Sequence, residues 1–167
     1  MQREPLELSI YKLLKKINCK MTTAESATGG MIASTLINVP GISSFFEQGY
    51  VTYSDAAKVA MIGVSAETIA RFGVVSAETA ADMAQAAART AGCAAAVSVT
   101  GVAGPDGGTK ECPVGLVYIG CFFRGTVVTE RHLFDGSRME VRKAATEAAL
   151  RLLKRTLEEE GECLCES

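Results

Sequence analysis

A chain of 167 residues, 48% hydrophobic and 22% charged, has the size and composition of one ordinary globular domain with a core of its own. Its net charge of −2 and pI of about 5.5 provide no basic field for a phosphate backbone, which argues against nucleic acid as a partner. No apolar run reaches the roughly eighteen residues that cross a bilayer, and the opening "MQREPLELSIYKLLKKI" is charged where a secretory leader would be apolar, so a cytoplasmic protein with no membrane partner is expected.

Leu6, Ile10, Leu13, Leu14 and Ile17 recur at helical spacing and predict an amphipathic first helix. "CKMTTAE" reads as a short strand, and residues 29–39 as a helix halted by Pro40. "FEQGYVTYS", rich in aromatic and β-branched residues, predicts a second strand, after which Ser54 caps a helix from Asp55 to near Gly63. Two "SAET" segments, at 65–68 and 76–79, each open a helix with a serine cap; their spacing is too short for a solenoid repeat. "AAAVSVTG" predicts a small, fully buried strand, and "LVYIGCFF" with "TVVTERHLF" a hairpin turning at Arg124-Gly125. The last helix starts at Ser137, which forms a capping box with Glu140, and Val141, Ala144, Ala148, Leu152 and Leu157 give it an inward face.

Strands alternating with helices, then a hairpin and a closing helix, predict a three-layer α/β/α sandwich with a mixed, mostly parallel sheet of about five strands. One domain over 1–167 is expected, with about 1–5 and 159–167 frayed. Of six cysteines, Cys19, Cys93, Cys112 and Cys121 are scattered singly, and Cys163 and Cys165 lie in the acidic tail "EEEGECLCES". Neither a disulfide framework nor zinc-site spacing emerges, so reduced thiols and no metal are expected.

The chemistry-bearing stretch is "TTAESATGGMIA", residues 22–33. Ser26 ends a strand just before a helix, at the carboxyl edge of the sheet where open α/β folds place ligands. The amides of Thr28, Gly29 and Gly30 would point at the same spot and suit an oxyanion or a phosphate. The same local sequence equally describes a helix N-cap. A nucleophilic serine needs a base, and the single histidine, His132, sits in "TERHLF" with nothing around it that marks a catalytic group. Lys58 is the alternative: among Ala56, Ala57, Val59, Ala60 and Met61 a desolvated lysine loses its charge and can act as a base, with Tyr53 at the strand end to relay or orient the proton. A solvated helix lysine beside a half-buried tyrosine is the commoner outcome of such a pattern.

"TGVAGPDGG", residues 100–108, contains four glycines and lets backbone approach a ligand closely. It lacks the endings of both nucleotide-binding glycine motifs, and an ordinary turn is the plain alternative. Arg138 and Arg142 share a face at the amino end of the last helix, where cations oppose the helix dipole by about 0.3–1 kcal/mol each. A carboxylate such as Glu140 or Asp135 would offset that, or a bound phosphate.

Taken together, "TTAESATGGMIA", "FEQGYVTYSDAAK", "IGVSAETIARFGVVSAETAADMA", "SVTGVAGPDGGTKECPVGLVYIG" and "FDGSRMEVRKAAT" resemble the C-terminal domain of the competence/damage-inducible CinA family, in order from about residue 20 to 155. The resemblance implies an amidase that converts nicotinamide mononucleotide to nicotinate mononucleotide and ammonia in pyridine nucleotide salvage, without metal or cofactor. It implies Ser26 as nucleophile, Lys58 as general base and Tyr53 as partner in proton transfer. Thr28, Gly29, Gly30, Thr100, Gly101, Gly104, Asp106, Gly107, Gly108, Arg138 and Arg142 would hold the nucleotide. It further implies a homo-oligomer, dimer or trimer. Family members often carry cysteine after the serine, where this chain has Ala27. The amino-terminal domain of the longer members, linked to ADP-ribose pyrophosphatase activity, has no counterpart in this sequence, so that activity is not expected. The rival expectation is a non-catalytic nucleotide-binding or partner module tied to competence or DNA damage.

Overall fold

The computed structural model describes residues 4–163. Strands β1 (Met21–Glu25), β2 (Tyr50–Val51), β3 (Ala95–Gly101), β4 (Leu116–Phe123) and β5 (Thr126–Leu133) form one sheet in the order β2-β1-β3-β4-β5. β1 is parallel to β2 and β3, while β4 is antiparallel to β3 and β5. Only β4 therefore runs against the other strands.

Helices α1 (Leu6–Ile17), α2 (Met31–Leu36) and α6 (Arg138–Cys163) cover one face. On the other lie α3, an α-helical turn at Asp55–Ala57 that widens into a π-helical turn at Lys58–Ile62, then α4 (Ala66–Phe72) and α5 (Ala77–Ala91). The expected α/β/α sandwich is the fold observed. Alternation along β3 divides the core: Ala95, Val97 and Val99 face α1, α2 and α6, while Ala96 faces α5. Ser98 also faces α5 and donates to the Ala80 carbonyl at 2.5 Å. Gly120 on β4 permits this close seat, because a Cβ there would stand 2.4 Å from the Ala80 oxygen.

The serine caps fold as expected. Ser54, Ser65 and Ser76 accept from the amides of Ala57, Thr68 and Thr79 at 3.1, 3.2 and 3.1 Å, each worth about 1 kcal/mol. Ser137 and Glu140 form the capping box of α6. Arg124 and Gly125 both take positive φ, 46° and 98°, in the hairpin turn.

Three expectations need correction. The second strand is far shorter than "FEQGYVTYS": Phe46 makes a single bridge to Met21, the Gln48 carbonyl accepts from the Thr22 hydroxyl, and ladder pairing is confined to Tyr50 and Val51. The helix expected from residue 29 starts at Met31, because Gly29 and Gly30 take positive φ, 58° and 98°. On α6, Ala145 and Ala149 are fully buried, and Ala144 and Ala148 only half-buried. Residues 1–3 and 164–167 of the expected frayed ends, and Cys165, lie outside the described residues, while α6 continues as helix to Cys163. Cys19, Cys93, Cys112 and Cys121 are free thiols, and burial pushes the Cys121 thiol up to about 12.

Candidate active site

The end of β1 is pinned from both sides. The Ser26 amide donates to the Val99 carbonyl of β3 at 3.1 Å, and Thr52, just past β2, donates to the Glu25 carbonyl at 2.9 Å. Ser26 thus stands at the carboxyl edge of the sheet, between the strand ends where a ligand crevice forms in this kind of strand order.

Beside it, the fold drives Lys58 inward. The Ser54 cap starts the chain into α3, and the π-helical turn that begins at Lys58 closes with the Val64 amide on the Lys58 carbonyl at 3.1 Å. Such turns recur at functional sites because the extra residue re-aims a side chain. The Lys58 side chain is 1% exposed. Its Nζ donates to Ser26 Oγ at 3.3 Å and to the Thr52 carbonyl at 3.1 Å. The Asp55 carboxylate stands 3.8 Å away on a largely exposed side chain. Desolvation dominates, so the Lys58 ammonium is held below its ordinary 10.5, with Asp55 only partly opposing.

Glu25, one residue before Ser26, is fully buried. Its carboxylate accepts from the Thr28 hydroxyl at 2.7 Å and the amides of Gly30, Ile32 and Ala33 at 3.0, 3.0 and 2.9 Å. It therefore caps α2 from inside the sheet. Two of the three amides expected to face a ligand, those of Gly29 and Gly30, are thus engaged within the protein. The Gly30 amide and Thr28 hydroxyl are taken by Glu25, and the Gly29 amide is taken by the Ser26 carbonyl at 3.0 Å. Among the described residues, the amides of Ala27 and Thr28 have no protein acceptor, and Ala27 lines the same cavity as Ser26.

That cavity, about 540 Å³, has Ser26, Lys58 and Tyr53 in its lining. Residues 72–75 and the glycine loop supply an apolar wall, and Asp106, Thr109 and Arg138 a polar one. Of the expected nucleotide-holding residues, Thr100, Gly101, Gly104, Asp106, Gly107 and Arg138 line it. Gly101 is fixed there by crowding, since a Cβ would approach the Leu116 oxygen to 2.6 Å. Gly108 is off the cavity and packs on Val114, whose amide nitrogen a Cβ would meet at 2.9 Å. Arg142 is off it too: its guanidinium donates to the carbonyls of Ala27 and Thr28, both at 3.0 Å, and clamps the Ser26 turn from α6. Tyr53 is 60% exposed, and its hydroxyl accepts from Arg138 at 2.6 Å; it hydrogen-bonds neither Ser26 nor Lys58. His132 sits on β5 with its ring 3.0 Å from the Glu130 carboxylate, outside the cavity lining, so it makes no triad with Ser26.

The CinA C-terminal domain family matches residues 3–157. The chain belongs to this family. A CinA-like protein of Kosmotoga olearia is 44% identical over 154 residues, 92% of this chain and 37% of that protein; the chain spans less than two fifths of the length of the curated relatives it matches. Among solved structures, a competence-damaged protein (CinA) superfamily protein of Klebsiella pneumoniae is similar with a TM-score of 0.88 at 34% identity, over 92% of this chain and 96% of that one. The competence/damage inducible protein CihA of Agrobacterium tumefaciens reaches a TM-score of 0.84 at 38% identity, over 95% and 99%.

Reading the family site from sequence missed Glu25 and the wall at 72–75. The signal for Glu25 was present: a carboxylate ending a buried strand, directly before a helix start, has only that helix's amides to satisfy it. The wall carried no signal, because Phe72, Gly73, Val74 and Val75 reach the cavity only through the packing of α4 and α5.

Proposed function

We propose that the chain hydrolyses the carboxamide of nicotinamide mononucleotide to nicotinate mononucleotide and ammonia, with Ser26 as nucleophile and Lys58 as base. The observation that carries this reading is the buried Lys58 amine, 3.3 Å from Ser26 Oγ and held below its ordinary pKa. A lysine so placed costs stability and has no evident use in a module that only binds. A neutral Nζ takes the Ser26 proton as Oγ attacks the amide carbon, and the oxygen that gains charge lies against the Ala27 amide. Collapse returns the proton to the leaving nitrogen, with Tyr53 in the relay, and ammonia departs. A water molecule, activated by Lys58, then adds to the Ser26 ester and releases the carboxylate. The apolar wall fits the pyridine ring, and the glycine loop with Asp106 and Arg138 fits the ribose phosphate.

Ammonia release from nicotinamide mononucleotide, followed in EDTA with wild type and Ser26→Ala, tests the reading. Turnover by wild type alone is expected. Undiminished turnover by the variant removes Ser26 as nucleophile. Nucleotide binding without ammonia release from any pyridine-nucleotide amide selects the binding module.

A further inference from the structure

Arg138, in the first turn of α6, lines the cavity. One amino group of its guanidinium donates to the Gly104 carbonyl at 2.6 Å and the other to the Tyr53 hydroxyl at 2.6 Å. Both acceptors are neutral. Among the described residues no carboxylate lies within ion-pair distance of Arg138, and the nearest acid along the helix, Glu140, is engaged by the Ser137 amide and hydroxyl. The exposed cation is thus left at the positive end of a long helix, held only by a carbonyl and a phenol, and borders the cavity that contains Ser26. An oxyanion there would be a stronger acceptor than either neutral partner, because it adds the attraction of opposite charges and can accept two parallel N–H bonds from the guanidinium. Tyr53 has no other side-chain partner to hold it.

Resting on the proposed amidase reading, we infer that Arg138 couples recognition of the substrate's phosphate to release of Tyr53. The anion takes the guanidinium, and the freed phenol turns to the reacting amide. There Tyr53 gives its proton to the leaving nitrogen and regains from the Lys58 ammonium the one taken from Ser26, so that in net one proton passes from Ser26 to ammonia. The energy of binding a remote phosphate then appears in the rate of the chemical step and not in affinity alone. A carboxamide without an anionic group binds a site whose proton relay is still tied back.

The experiment has two arms. In the first, the tyrosine difference absorbance is followed as ribose 5-phosphate, which has no absorbance of its own in that region, is titrated into wild type, Tyr53→Phe and Arg138→Ala. A saturable change in wild type that is lost in both variants is expected; binding by calorimetry with no tyrosine change overturns the coupling, whether or not the chain is an amidase. In the second, kcat and KM are measured for nicotinamide mononucleotide and nicotinamide riboside. Wild type should show kcat about 10²-fold lower for the riboside, partly restored by added inorganic phosphite. Arg138→Ala, in which nothing ties Tyr53 back, should have similar kcat for both substrates, that for the riboside above its wild-type value, and no phosphite effect. A riboside kcat that stays as low in Arg138→Ala as in wild type, with only the KM for the nucleotide raised, makes Arg138 a plain phosphate contact and overturns the inference while leaving the amidase reading intact. Failure of wild type to act on either amide overturns the amidase reading, and the coupling of anion binding to Tyr53 is then judged by the first arm alone.

Discussion

Glu25 and Lys58 lie on opposite sides of the Ser26 turn, and both are buried and ionisable. Glu25 is met by four donors at 2.7 to 3.0 Å, three of them amides at the start of α2. Lys58 is met by a carbonyl and a hydroxyl at 3.1 and 3.3 Å, with its nearest carboxylate at 3.8 Å on an exposed side chain. A buried charge with a full set of partners is a structural device; one left short of partners is driven toward its neutral form. The carboxylate fixes where the turn sits, and the amine is left short of partners beside Ser26.

The sharpest way to break this contrast is Ser26→Ala, for which kcat should fall about 10⁴-fold or more with little change in unfolding free energy, read by ammonia release and denaturant unfolding. Lys58→Met comes next, with a loss of about 10³-fold. Its stability relative to wild type should depend on pH with a defined sign. Because the folded pKa of Lys58 is lowered, the unfolded chain holds that proton more tightly, and wild-type stability falls as pH drops from about 10.4 through the folded value, then levels off. Lys58→Met should therefore gain on wild type over that window and no further below it. A gap that is flat across the window would show Lys58 is not desolvated.

Glu25→Gln should act the other way round. Replacing one carboxylate oxygen by an amide group sets donor against donor at the start of α2 and should cost about 3 kcal/mol in urea unfolding. Its effect on kcat should be smaller than that of Lys58→Met. Loss of activity without loss of stability would reverse the roles assigned to the two residues. The smallest effect is expected at Ser65→Ala, away from the turn: about 1 kcal/mol from the lost cap and unchanged turnover.

Much of the architecture was legible because the elements carry local signals. The caps at Ser54, Ser65 and Ser76, the buried β3 and the Arg124-Gly125 hairpin each follow from a few adjacent residues. The site was legible in part. Ser26, Tyr53 and Lys58 were named through the family resemblance and line one cavity, whereas composition around Lys58 left a solvated lysine open. The competition for donors was harder to see, signalled at Glu25 by a carboxylate ending a buried strand and at Arg142 by nothing in the sequence. A glycine-rich helix start looks free to bind an anion until Glu25 occupies it, and Arg142 looks free until the carbonyls of Ala27 and Thr28 accept from it. Those partners are set by which face of β1 and α6 each side chain leaves from. Likewise, the brevity of β2 follows from contacts outside the segment, such as the Thr22 hydroxyl on the Gln48 carbonyl, and not from the aromatic content of residues 46–54.

The central claim is that Lys58 is a neutral amine when it meets Ser26. Titration of the Lys58 side chain by NMR, in protein carrying ¹³C-labelled lysine and with the signal assigned by its loss in Lys58→Met, tests it most directly. The account predicts a titration below the value of about 10.4 found for an unperturbed lysine, coinciding with the ascending limb of kcat/KM. A Lys58 that titrates at about 10.4, with turnover indifferent to that transition, would contradict it.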